Sequence, residues 1–206
     1  MARLDEMIMF AVSCRRYSVQ NWKEKKKKLL DMLDADWEMS VRPQDQDVKD
    51  CETDYFSTNG RASYFDVWYN ILKEDLDDAL SQTNLPLAPP EMWQLWSQKY
   101  TRGQYHGVHN HGFSNLSCVL YVEFDPQVHE PTAFYQPFPD PFFGEINKIQ
   151  PQVEEGDIII FPAVLLHESP VSRSDKTRTI MSFNICLLYT SPSPRDLSTS
   201  RMPSSA

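Results

Sequence analysis

Long hydrophobic runs are absent from this 206-residue chain. The longest, Met7 to Val12, has six residues, far short of the ~20 that a membrane-spanning helix needs. Asp5 and Glu6 before it are the wrong flank for a secretory signal. Paired cysteines are lacking too. No Cys-x-x-Cys occurs, and Cys14, Cys51 and Cys118 stand far apart and are odd in number, so neither a disulfide framework nor a zinc ribbon is suggested and a reducing, intracellular (cytoplasmic) location fits best. There is no basic surplus: 20 Lys and Arg face 29 Asp and Glu, for a formal charge of −9. That balance argues against non-specific nucleic-acid binding, though not against a local basic groove. No internal repeat is visible. What remains is an ordinary globular mix, 41% hydrophobic and 24% charged, long enough to bury one real core.

The end of the chain is set apart. Residues 186–206 read CLLYTSPSPRDLSTSRMPSSA. Cys186 to Asp196 looks like a one-frame translation of a sequencing-library adapter, and Thr199 to Ala206 resembles the primer that follows it. A non-native, disordered tail is expected there, outside fold reasoning. Without it 185 residues remain, with 18 basic and 28 acidic side chains and a charge of −10. The native C-terminus is then expected to be missing.

The rest divides by character: a strand-and-helix support region over 1–90 and a strand-rich core over 91–185, forming one compact domain. Met7 to Ser13 reads as a strand and Asn21 to Leu33 as a helix, with Trp22, Leu29, Leu30 and Leu33 on one side. The lysine-rich run from Lys23 to Lys28 reads as a solvated helix face rather than a phosphate site. Tyr64, Trp68, Ile71, Leu72, Leu76 and Leu80 recur at helical spacing and predict an amphipathic helix packed on a sheet. Pro86, Pro89 and Pro90 end this region. Trp93 and Trp96 suggest a short helical or turn segment, and all five tryptophans read as core packing. Strands are expected at Val108–His111, Ser117–Glu123, Asp157–Phe161 and Thr179–Ile185. Asp125 to Phe143 carries five prolines, a density that excludes a central strand or helix. A long loop is expected, with Phe134, Tyr135 and Phe138 as candidates for a wall facing substrate.

All five histidines, His106, His109, His111, His129 and His167, fall after residue 105. In His109-Asn110-His111, positions two apart on a strand point the same way, so two imidazoles can grip one metal ion. His167, beyond the apolar stretch that starts at Gly156-Asp157, is placed to supply the third ligand. Imidazoles suit iron, copper, nickel and zinc. His106 reads as a solvated loop residue and His129 as exposed. Arg178 follows eleven residues after His167. Alternation puts Arg178, Ile180, Ser182 and Asn184 on one face of the last strand and Thr179, Met181, Phe183 and Ile185 on the other. An inward Arg beside a metal is costly unless it holds an anion, and its fork matches a carboxylate.

These residues carry a resemblance. From about Trp96 to Ile185 the chain resembles the double-stranded β-helix (jelly-roll) core of the iron(II)- and 2-oxoglutarate-dependent oxygenases. It is most similar to an often virus-encoded branch related to prolyl hydroxylases. The likeness rests on His109-Asn110-His111, Ser117 to Val122, Gly156-Asp157 to Pro162 with His167, and Arg178 to Asn184. It implies a mainly β fold with α support, Fe(II) as cofactor and 2-oxoglutarate as cosubstrate. It further implies a dioxygenase reaction that most often hydroxylates a second substrate and releases succinate and CO2. His109, His111 and His167 are the implied metal ligands. Arg178 is implied for the distal carboxylate of 2-oxoglutarate, with Ser182 or Tyr121 as helper.

One position departs from the pattern: His111 stands where the superfamily usually carries a carboxylate. Whether His111 or an acidic residue such as Asp140 completes the triad is left open by the sequence. Two alternatives stand beside the oxygenase. A cupin-type three-histidine metalloprotein matches the spacing of Gly103 to His109-Asn110-His111 and of Gly156 to His167. It lacks the motif glutamate and has no need of Arg178. A metal-free β-barrel binding module is the other. A small-molecule or peptidyl substrate is expected, with no membrane partner and no strong nucleic-acid signal; the sequence does not set the oligomeric state.

Overall fold

The structure, a computed structural model, describes residues 11–36, 51–58, 60–83, 85, 87–90, 93–112 and 114–187. In chain order the elements are β1 (Arg15–Ser18), α1 (Trp22–Asp36), β2 (Glu52–Thr53), α2 (Tyr55–Thr58), α3 (Phe65–Ser81), β3 (Gln94–Tyr100) and β4 (His106–His109). Then follow β5 (Leu116–Glu123), β6 (Ala133–Tyr135), β7 (Lys148–Ile149), β8 (Asp157–Pro162), β9 (His167–Ser169) and β10 (Arg178–Ile185).

Alternation along β10 sets the architecture. All eight of its residues are buried, but they face two different layers. Met181, Phe183 and Ile185 join Cys118, Leu120 and Val122 of β5 and Ile158 and Ile160 of β8 in a core against α1 and α3. Trp68 of α3 is fully buried there, its ring 4.9 Å from that of Phe183. Ile180 faces the opposite way, into a second core with Tyr100, Val119, Tyr121, Phe134, Ile159 and Phe161. Six strands pair antiparallel in the order β1-β8-β5-β10-β3-β2, and four more in the order β4-β9-β6-β7. The first sheet carries the helices on its outer face, and the second core lies on its inner face. This is the double-stranded β-helix expected from the sequence, with helical support on one sheet. Among the described residues no helix is long and apolar enough to cross a membrane.

Helix α1 follows its sequence pattern. Leu29, Met32 and Leu33 are buried, while the lysine run is neutralised rather than left to bind phosphate. Lys27 pairs with Asp31 and Lys28 with Glu24 one turn away. Lys26 reaches Glu155, and Lys25 reaches the buried Asp75 of α3. Gly156 turns the chain into β8 at φ +90°, and a Cβ there would lie 2.7 Å from the Trp22 ring. Only glycine meets both demands.

Several expectations need correction. The strand over Met7–Ser13 falls mostly outside the described residues; the first strand seen is β1, and residues 11–14 form no regular element. Trp93 does close a turn, its N–H donating to the Pro90 carbonyl at 3.0 Å, but Trp96 lies within β3, where Thr179–Asn184 of β10 pair with Gln94–Lys99. The proline-rich stretch does contain an internal strand, since β6 lies between β9 and β7. Pro131 and Pro137 flank its three residues rather than interrupt them, so no ladder hydrogen bond is lost. His129 is buried, not exposed. Its Nδ1 accepts the Asp125 N–H at 3.0 Å and its Nε2 donates to the Lys176 carbonyl at 2.9 Å. Cys186 and Leu187 are held as well: the Cys186 carbonyl accepts from Ala88 N–H, and Leu187 N–H donates to Asn115. Trp37, Asn59 and residues 188–206 lie outside the described residues.

Candidate metal centre

Strand pairing brings two histidines together. His109 ends β4 and is the direct cross-strand partner of His167 in β9, so both side chains leave the sheet on one face. His111 lies past the end of β4, in the following turn. Its N–H donates to the Ala163 carbonyl at 2.8 Å, which keeps the turn against the end of β8. The shared strand face invoked for His109 and His111 therefore gives way to a strand and a turn. The outcome is still one cluster: a ligand atom from each of His109, His111 and His167 lies within 4.8 Å of the other two.

Each imidazole is oriented by its other nitrogen. His109 Nδ1 lies 2.7 Å from the Gly107 carbonyl and His167 Nδ1 lies 2.8 Å from the Leu165 carbonyl. A carbonyl only accepts, so both Nδ1 atoms carry the proton and both Nε2 lone pairs are left for a ligand. His111 is held by a side chain instead: its Nδ1 lies 2.7 Å from Asn184 Oδ1. The Asn184 amide donates in turn to Gln94 Oε1 at 2.8 Å, which fixes which way the amide points. Ser117 Oγ is 3.2 Å from the same Nδ1. Hydrogen bonds of this kind set ligand tautomer and basicity at metal sites.

Burial keeps the imidazoles neutral. It lowers His109 to about 3, helped by His106 and His167, and lowers His167 to about 4. His111 is lowered by burial as well, with the Asn184 bond opposing. Neutral imidazole is the form that binds metal. Asp140, the other candidate for a third ligand, is not in this group. Its carboxylate accepts from Phe142 and Phe143 N–H in a turn.

The cluster opens on a cavity of about 640 Å³ between the sheets. One end is lined by Tyr100, Thr132, Ser169 and Ile180. Arg178 is buried beside it, its guanidinium 4.2 Å from the Tyr100 ring centroid and one arm donating to the Glu130 carbonyl. Three buried polar atoms here, Tyr100 Oη, Ser169 Oγ and Arg178 Nε, have no hydrogen-bond partner among the described residues. Leaving a buried polar group unpaired costs about 1–3 kcal/mol, so three in one place fit a ligand that accepts hydrogen bonds. Burial drives Tyr100 far above its ordinary value, with Cys51 adding to the shift, which keeps the phenol a donor.

The structure distributes the remaining candidates differently. Ser182 lines the cavity, but its hydroxyl donates to Gln98 Oε1 at 3.0 Å. Tyr121 is fully buried and spends its hydroxyl on Thr132. Phe134, Tyr135 and Phe138 are not among the cavity-lining residues. Phe134 packs behind the centre, 4.8 Å from Phe161. Aromatic walls come instead from Tyr55, Phe56 and Trp96. His106 also lines the cavity, its Nδ1 3.7 Å from Cys51 Sγ. Tyr100 and Ser169 have no signal in the sequence, because their unpaired hydroxyls come together only when β3, β9 and β10 meet.

Residues 94–184 match the model of a family described as "Putative 2OG-Fe(II) oxygenase". Over this span the core is similar to the 2OG-Fe(II) oxygenases. No curated protein matches the chain. Among solved structures the oxygenase fold is shared with a Pseudomonas putida prolyl-4-hydroxylase, at 14% identity and TM-score 0.56, covering 86% of this chain and 94% of that one. The viral collagen prolyl hydroxylase of Paramecium Bursaria Chlorella virus-1 is similar at 12% identity and TM-score 0.53, covering 85% and 96%. HygX from Streptomyces hygroscopicus, solved with nickel, 2-oxoglutarate and hygromycin B, is similar at 13% identity and TM-score 0.59, covering 86% and 84%. The enzyme is thus a 2-oxoglutarate- and iron(II)-dependent oxygenase.

Proposed function

We propose that this oxygenase hydroxylates a small-molecule or peptidyl substrate, with iron held by His109, His111 and His167. The observation that carries this reading is the convergence of three imidazoles whose Nδ1 atoms are all engaged, leaving three Nε2 atoms for one ion. Bound iron supplies oxygen activation coupled to oxidative decarboxylation of 2-oxoglutarate. The protein's residues orient and exclude. Arg178, Tyr100 and Ser169 hold the distal carboxylate of 2-oxoglutarate, with Arg178 contributing charge and the hydroxyls contributing direction. Ser182 and Tyr121 act behind them, through Gln98 and Thr132.

The three-histidine set carries one negative charge fewer than a two-histidine, one-carboxylate set, so the bound ion keeps more of its positive charge. A reducing intracellular location is part of the proposal, supported by the free Cys14, Cys51 and Cys118; a viral or metagenomic source rests on the sequence resemblance. Metal content and succinate formation in His109→Ala and His167→Ala test the assignment. Loss of bound iron and of turnover in both is expected, and retained turnover in both would remove these residues from the centre.

A further inference from the structure

Three aromatic rings run from the protein surface to the metal centre. Phe56 and Tyr55 of α2 lie 5.3 Å apart between centroids, Tyr55 and Trp96 lie 5.2 Å apart, and Trp96 lies 5.4 Å from His111. Trp96 is buried, whereas Tyr55 and Phe56 are 37% and 39% exposed. All three line the same cavity as the histidines. Exposed aromatic rings that continue a cavity wall mark a binding surface, because covering them removes apolar area from water.

The charge of the wall narrows the ligand. Among the described residues no Lys or Arg lines the cavity, and its two carboxylates, Glu52 and Glu168, each have a lysine beside them. Glu168 pairs with Lys148, and Glu52 lies opposite Lys99 across β2 and β3. Away from the Arg178 end, the wall therefore offers no lysine or arginine to an acidic substrate, and Glu168 is already engaged by Lys148. The wall offers ring faces, with the amides of Gln94 and Asn110 nearby in the lining.

We infer that Phe56, Tyr55 and Trp96 form the substrate platform of the cavity and that the group docked on it is an uncharged planar ring. The inference rests on the proposed iron site for its orientation: a ring on Trp96 meets the centre on the His111 side. Gln94 joins the two functions, since it lines the platform and also holds Asn184 against His111.

Indole, tryptamine and indole-3-acetate serve as neutral, cationic and anionic probes of one ring. Saturation-transfer NMR on the metal-free protein reads the platform, and line broadening by Mn(II) reads proximity to the centre. Indole is expected to bind best, and Tyr55→Ser with Phe56→Ser to weaken it about tenfold. Both residues are partly exposed, so the fold tolerates the change. Unchanged indole binding in the double variant, or tighter binding of either charged probe, overturns the inference. Indole binding without broadening, while electron paramagnetic resonance shows Mn(II) bound, overturns the orientation. Failure to bind Mn(II) counts against the three-histidine centre, and the saturation-transfer result then decides the platform by itself.

Discussion

His111 is the residue on which the centre depends most delicately. His109 and His167 are oriented by backbone carbonyls, which no substitution removes, whereas His111 relies on the Asn184 side chain. Asn184→Ala is expected to lower metal affinity by about 10- to 100-fold, and Asn184→Asp, which keeps an acceptor, to lower it less. Metal titration checks both; equal loss in the two variants would mean that the acceptor oxygen at position 184 does not orient His111. Arg178→Gln is expected to raise the apparent KM for 2-oxoglutarate by about 10- to 100-fold, from the loss of a charged hydrogen bond. Steady-state succinate formation reads it, and an unchanged KM would take Arg178 out of the role. The clustering of the histidines and the inward face of Arg178 were legible because their residue types and spacing are rare. Tyr100 and Ser169 were not, because a tyrosine and a serine gain meaning only from the unpaired atoms that packing leaves around them.

At the scale of elements, alternation was the most readable signal. The two faces of β10 were legible in the sequence because one is apolar throughout apart from Thr179 and the other carries Arg178, Ser182 and Asn184. Helix α3 was legible for the same reason, its apolar residues recurring with the helical period. Trp68→Ala or Phe183→Ala is expected to destabilise the fold by about 3–5 kcal/mol, since each leaves a cavity between α3 and the sheet. Chemical denaturation checks this, and a loss below about 1 kcal/mol would place the contact outside the cooperative core. Short elements were the least readable. Three residues of β6 between prolines and four of α2 carry too little periodicity to register, and α2 supplies the aromatic wall.

For the whole molecule, the buried histidines link stability to pH. In the unfolded chain they take up protons near their ordinary value of about 6.5, whereas in the fold His167 waits until about 4 and His109 until about 3. The unfolded state thus binds more protons as pH falls through this window, and the metal-free protein loses stability from about pH 6.5 downward. His109→Gln with His167→Gln is expected to flatten the fall in Tm between about pH 7 and pH 5, and an unchanged slope would contradict it. Compartment, substrate and partners leave little trace at this scale, because a charge of −9 describes a surface and not a site. The central claim, that three histidines and Arg178 hold iron and 2-oxoglutarate together, is tested most directly by anaerobic titration with Fe(II) and then 2-oxoglutarate. The account predicts a visible charge-transfer band that needs both components, disappears in His167→Ala and weakens in Arg178→Gln. Iron binding without such a band, or a folded protein that binds no iron, would contradict it.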